Sequence, residues 1–130
     1  VGKRRILVVD DEPDIRSVLG MALEFALEAE VTKVGSAKAA FSHLDDHPIP
    51  DLIILDVMMP EIDGYSACKT LRERGDCNGV PIVFLTARVG SVEQQKCDDA
   101  GGTAFLAKPF DPMTIGDQLR IVLADAGHQL

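Results

Sequence analysis

The chain has 130 residues, 46% apolar and 26% charged, ordinary values for one globular domain long enough to bury a real core. Its net charge of −8 argues against non-specific nucleic-acid binding, which needs a basic surface. No apolar run approaches the ~20 residues that span a bilayer, and the charged N-terminus lacks the apolar stretch of a secretory signal.

Short apolar runs bounded by polar residues read as buried strands. The first predicted strand is 5–9, its start kept solvated by Lys3, Arg4 and Arg5. A helix follows from near Pro13, a residue suited to the first helical position, with Ile15, Val18, Leu19, Ala22, Leu23 and Ala26 as its apolar stripe. The weakest strand pattern lies near 30–34. Ser36 caps a second helix to about 44 that turns Ala37, Ala40, Phe41 and Leu44 inward. The third strand, 51–56, is apolar on both faces, as a central parallel strand should be. Asp63 and Gly64 lead into a third helix ending near Arg74, with Gly75, Asn78 and Gly79 as turn residues. The fourth strand is 81–86. The fourth helix, 91–100, is polar, leaving Val92, Cys97 and Ala100 to pack before Gly101 and Gly102 end it. The fifth strand is 103–107. Asp111 and Pro112 then open a fifth helix to about 126, carried by Met113, Ile115, Leu119, Val122 and Leu123.

Strands alternating with helices through short loops imply a parallel sheet covered on both sides, an α/β architecture. The carboxyl ends of such strands share one edge, where open α/β sheets place their ligands. Asp10 and Asp11 follow the first strand, Asp56 ends the third, and Lys108 follows the fifth. A carboxylate cluster calls for a divalent metal, and a lysine beside it for an anion. Each residue alone has a plainer reading. Asp10, Asp11 and Glu12 could be a solvated cap before Pro13; Lys108 a surface lysine; Thr86 an ordinary strand residue; Phe105 core. Asp56 resists that reading, because an unpaired charge at the end of an apolar strand is costly. Convergence overturns the plain readings. His43 and His47 have a zinc-compatible spacing but no third ligand, and read as exposed histidines; neither they nor His128 sits near the strand ends. Cys68, Cys77 and Cys97 are odd in number and fit no zinc or redox motif, so they read as reduced thiols of a cytosolic protein.

Four segments in order, 6–13 (ILVVDDEP), 51–60 (DLIILDVMMP) with Asp63 and Gly64, 81–87 (PIVFLTA) and 101–110 with Lys108, Pro109 and Phe110, resemble the receiver domain of two-component response regulators. The resemblance covers essentially the whole chain and implies one receiver domain over 1–130. It implies a flavodoxin-like doubly wound sheet of strand order 2-1-3-4-5 with five helices. Asp56 would be the phosphoacceptor. Asp10, Asp11, Asp56 and the backbone carbonyl of Met58 would hold Mg²⁺, Asp11 directly and Asp10 mainly through water. Lys108 and Thr86 would bind the phosphoryl oxygens, with small Ala87 leaving access. Thr86 and Phe105 would switch the surface of helix four, strand five and helix five. Met58 and Arg88 stand where the family tunes acyl-phosphate lifetime, and the Lys108–Pro109 bond would be cis. Partners would be a histidine kinase or histidine phosphotransfer protein, in the cytoplasm; the output domain or target stays open, as does a homodimer through helices four and five. The protein would be a signalling phosphoacceptor rather than an enzyme with turnover, and would bind neither nucleic acid nor membrane through this domain.

Two other classes fit less well. A phosphohydrolase of the haloacid-dehalogenase type wants a second Asp where Met58 stands. A flavodoxin-type cofactor carrier wants hydroxyls and free N–H groups after the first strand, where Asp10, Asp11 and Glu12 would repel a phosphate.

Overall fold

Successive side chains of a strand point to opposite faces of its sheet, so a strand covered on both sides is apolar at every position. The computed structural model describes residues 3–129 and follows that rule; residues 1, 2 and 130 of the expected 1–130 domain lie outside the described residues. Five strands, β1 (Arg5–Val9), β2 (Glu30–Val34), β3 (Leu52–Asp56), β4 (Ile82–Thr86) and β5 (Ala104–Ala107), alternate with five helices. These are α1 (Pro13–Leu27), α2 (Ala37–Asp46), α3 (Gly64–Arg74), α4 (Ser91–Ala100) and α5 (Ile115–Asp125). All strand pairs are parallel, in the order β2-β1-β3-β4-β5. The α/β class and the strand order are those expected.

Alternate residues of each central strand feed two separate cores. Leu7, Val9, Ile53, Leu55, Ile82 and Phe84 face α2, α3 and α4, where they meet Leu44, Leu71 and Cys97. Ile6, Val8, Leu52, Ile54, Val83 and Leu85 face α1 and α5, where they meet Leu19, Leu23, Ile115 and Leu119. β3 and β4 are buried at every residue, whereas no residue of the edge strand β2 is fully buried, which explains its weak sequence pattern. The register sets Val9 beside Leu55, Asp56 beside Leu85, and Thr86 beside Ala107. The carboxyl ends of four strands therefore fall within two residues of one another. Local caps hold the helices in phase with that edge: Ser36 Oγ accepts from the Ala39 N–H at 3.1 Å and the Asp63 carboxylate from Ser66 at 2.8 Å.

Three expectations about packing are corrected. Val92 is exposed and Glu93 is buried in its place, because Glu93, Cys97 and Ala100 share one stripe at spacings of four and three, and Val92 lies off it. In α1 the buried stripe is Leu19, Leu23 and Leu27, while Val18 is 43% exposed. The fifth helix begins at Ile115 rather than after Asp111. The Asp111 carboxylate accepts from the Met113 N–H at 2.8 Å, and its carbonyl from Thr114 and Ile115, closing a separate turn that leaves Met113 exposed. Cys68, Cys77 and Cys97 are free and buried. Among the described residues no helix is long and apolar enough to cross a membrane.

Candidate functional site

At the carboxyl edge of the sheet, Asp10 follows β1, Asp56 and Thr86 end β3 and β4, and Lys108 follows β5. Carboxylate oxygens of Asp10, Asp11 and Asp56 lie within 4.8 Å of one another. Asp10 and Asp56 are almost wholly removed from solvent, at 0% and 3% exposure. Isolated buried carboxylates are costly, so the partners matter. Lys108 Nζ sits 2.9 Å from Asp10 Oδ2 and 3.2 Å from Asp56 Oδ1, one ammonium shared by two acids. The Glu12 N–H donates to Asp10 Oδ1 at 2.9 Å and the Met58 N–H to Asp56 Oδ1 at 3.3 Å. Arg16 Nη1 donates to the Asp10 carbonyl at 2.7 Å; a Cβ on Gly35 would sit 2.8 Å from that nitrogen, so glycine there leaves Arg16 its space.

One cation does not balance the cluster. Burial, then the adjacent Asp10 charge, push the Asp56 carboxyl up to about 6 while Lys108 pulls it down. For Lys108, burial acts to lower the pKa, but the bond to Asp10 and the charges of Asp56 and Asp10 outweigh it and hold the ammonium above its ordinary value. Asp11 Oδ1 is buried with no hydrogen-bond partner among the described residues. An orphaned oxygen, excess negative charge and an all-oxygen donor set together fit a hard divalent cation such as Mg²⁺.

The other expected residues frame this cluster. Thr86 is buried, and its Oγ1 accepts from the Arg88 N–H at 3.1 Å. The Arg88 and Met58 side chains are exposed. Ala87 is exposed and lines, with Glu12, Ile15, Lys108 and Phe110, a cavity of about 350 Å³ beside the acids. Phe105 is half-buried against the core under α4. It pairs with Phe84, one pleat before the Thr86–Ala107 pair, so Phe105 and Thr86 share a face of the sheet. The Lys108–Pro109 bond is cis. His47 is exposed, but His43 is half-buried rather than exposed, because its ring stacks on His47 at 4.1 Å beside Arg5 and Glu30, at the opposite ends of β1 and β2.

Sequence reasoning missed Tyr65, whose hydroxyl donates to Glu93. Tyr65 follows the Gly64 of a recognised motif, but a polar helix offered no sign that one of its acids is buried. It also missed Arg16, whose place one helical turn after Glu12 was its only signal.

The family described as the response regulator receiver domain matches residues 6–120. Response regulator Rre1 of Synechocystis sp. is 39% identical over 130 residues, covering 95% of this chain and 56% of that protein. The chain spans about half the length of the curated relatives it matches. Chemotaxis response regulator CheY4 of Vibrio cholerae superposes with a TM-score of 0.86 at 30% identity, covering 94% of this chain and all of that one. The signal receiver domain of a signal transduction histidine kinase from Syntrophus aciditrophicus gives 0.80 at 29%, over 94% and 91% of the two chains.

Proposed function

Because this chain belongs to the response regulator receiver domain family, we propose that Asp56 accepts a phosphoryl group from a histidine kinase or histidine phosphotransfer protein. A carboxylate oxygen of Asp56 attacks the phosphorus, the phosphorus–nitrogen bond of the donor histidine breaks, and an acyl phosphate forms. The single observation that carries this reading is the meeting of three carboxylates within 4.8 Å with Lys108 Nζ bonded to two of them. A nucleophile on its own would repel the incoming anion.

Asp10, Asp11, Asp56 and the Met58 carbonyl would hold Mg²⁺. Bound there, the ion supplies Lewis-acid charge stabilisation to the transferring group. Lys108 leaves its bond to Asp56 and pairs with a phosphoryl oxygen as a point charge. Thr86 donates its hydroxyl to another, giving up its role as acceptor for Arg88. Ala87 leaves the mouth open. Displacement of Thr86 toward the phosphate frees space on the face it shares with Phe105, and Phe105 turns inward. The surface of α4, β5 and α5 then changes, and an output domain, a target protein or a second copy would dock on it. Exposed Met58 and Arg88 flank the phosphoryl group and set its lifetime. Cytoplasmic action suits three buried free thiols.

The test is a small phosphoryl donor with Mg²⁺. Wild-type protein acquires acid-labile label and Asp56→Asn does not; equal labelling of both overturns the assignment.

A further inference from the structure

Of the five helices described, α4 has the fewest buried apolar side chains. Its only buried apolar side chains are Cys97 and Ala100, and the third buried residue is Glu93. No side chain caps its start at Gly90. A carboxylate at 6% exposure needs a donor, and the Tyr65 hydroxyl of α3 is that donor. Lys96 adds only a longer pairing to Glu93, at 3.8 Å. Burial first, then the Glu93 acceptor, hold the phenol far above its ordinary value, so Tyr65 stays a donor at any physiological pH. Its ring packs edge-on against Phe84 with centroids 4.8 Å apart, two residues before Thr86 on β4.

Tyr65 is also tied to the acceptor loop. It follows Gly64, whose N–H donates to the Val57 carbonyl at 2.9 Å. A Cβ on Gly64 would run into the Asp56 carbonyl and lie 2.9 Å from Val57 Cα. The first turn of α3 thus rests on the backbone of Asp56, with no compressible side chain between. One chain of contact runs from the Asp56 backbone through Gly64 and Tyr65 to Glu93 on α4. It differs from the Thr86–Phe105 route, which it meets at Phe84, the ring that Tyr65 packs on and that pairs with Phe105.

We infer that the Tyr65–Glu93 hydrogen bond is a latch that holds α4 in its resting position and opens when Asp56 is phosphorylated. The latch deepens the receiver reading and rests on it for the trigger, but not for the bond itself. One hydrogen bond to a charged acceptor is enough to change the population of a two-state element about tenfold or more.

Amide hydrogen exchange of the whole chain tests it, without and with Mg²⁺ and beryllofluoride as the phosphoryl mimic. In Tyr65→Phe, amides of residues 91–100 exchange about tenfold faster than in wild type, while those of α1 and β1 do not change. Glu93→Gln keeps an acceptor and stays close to wild type, Glu93→Ala matches Tyr65→Phe, and the double variant Tyr65→Phe/Glu93→Ala is no worse than either single one. The mimic brings wild-type α4 to the exchange rate of Tyr65→Phe. Unchanged α4 protection in Tyr65→Phe overturns the latch. So does a uniform loss of protection through the chain, which would make Tyr65 a general packing residue. An α4 that ignores the mimic in wild type, although Asp56 takes label, overturns the trigger. Equal labelling of wild type and Asp56→Asn would instead strike the receiver reading and leave the exchange result standing.

Discussion

Asp56 carries the main electrostatic conflict of the resting protein. Its pKa rises from 3.8 to about 6 through burial and the Asp10 charge, so ionising it costs folding free energy. A carboxyl whose folded pKa is raised contributes stability that is fully present below its unfolded value and is lost as pH rises through the folded one. Metal-free protein is therefore expected to lose stability from about pH 4 to pH 6 relative to Asp56→Asn, as read by urea midpoints along a pH series. A difference between the two proteins that is constant across this window would contradict the raised pKa. Lys108 opposes that shift, so Lys108→Met should move the Asp56 titration further up, observable by carboxyl carbon NMR. Gly64 matters by its missing atom. Gly64→Ala would force a methyl against the backbone of Asp56 and Val57 and is expected to lower both stability and labelling of Asp56.

Elements keep their places through a few polar fastenings that no periodicity announces. Arg72 of α3 donates from Nη1 to the carbonyls of Cys77, Asn78 and Val80 and from Nε to Gly101, gathering the α3–β4 loop and the end of α4 around one guanidinium. Those carbonyls have a fixed charged donor only while Arg72 is there. Arg72→Met keeps the aliphatic stem and removes the fork; it is expected to cost about 2–4 kcal/mol, as a fall in urea midpoint with unchanged m. An effect within about 0.5 kcal/mol would mean that water replaces the guanidinium at no loss. Glu93 teaches the same lesson for α4. A helix reading as polar all round was expected to pack through Val92, and instead packs through a carboxylate that finds Tyr65.

For the whole molecule the acid cluster couples metal binding to folding. Asp10, Asp11 and Asp56 are far apart in an unfolded chain and within 4.8 Å in the folded one, so Mg²⁺ should bind the native state alone. Mass action then stabilises the fold by about 1.4 kcal/mol at ten times the dissociation constant. The melting temperature should climb with Mg²⁺ concentration, and the climb should shrink in Asp11→Asn, which neutralises the acid whose buried oxygen lacks a partner. A melting temperature indifferent to millimolar Mg²⁺ would remove the metal from this site.

Much of this was readable in one dimension. The apolar runs at 52–55 and 82–85, the acids at 10, 11 and 56 and the lysine at 108 are local signals, because burial on both faces demands unbroken apolar strands and charge is expelled to their ends. Alternation of strand and helix then determined the class of fold and the edge on which the acids gather. The sequence could not say which face of a weakly apolar helix turns inward, that Glu93 would be covered by Tyr65, or that Arg72 would close the α3–β4 loop. Nor could it tell that residues 111–114 form a turn of their own. Those outcomes depend on partners far along the chain, and the energy of a buried polar group is settled only when the packed structure supplies its donor.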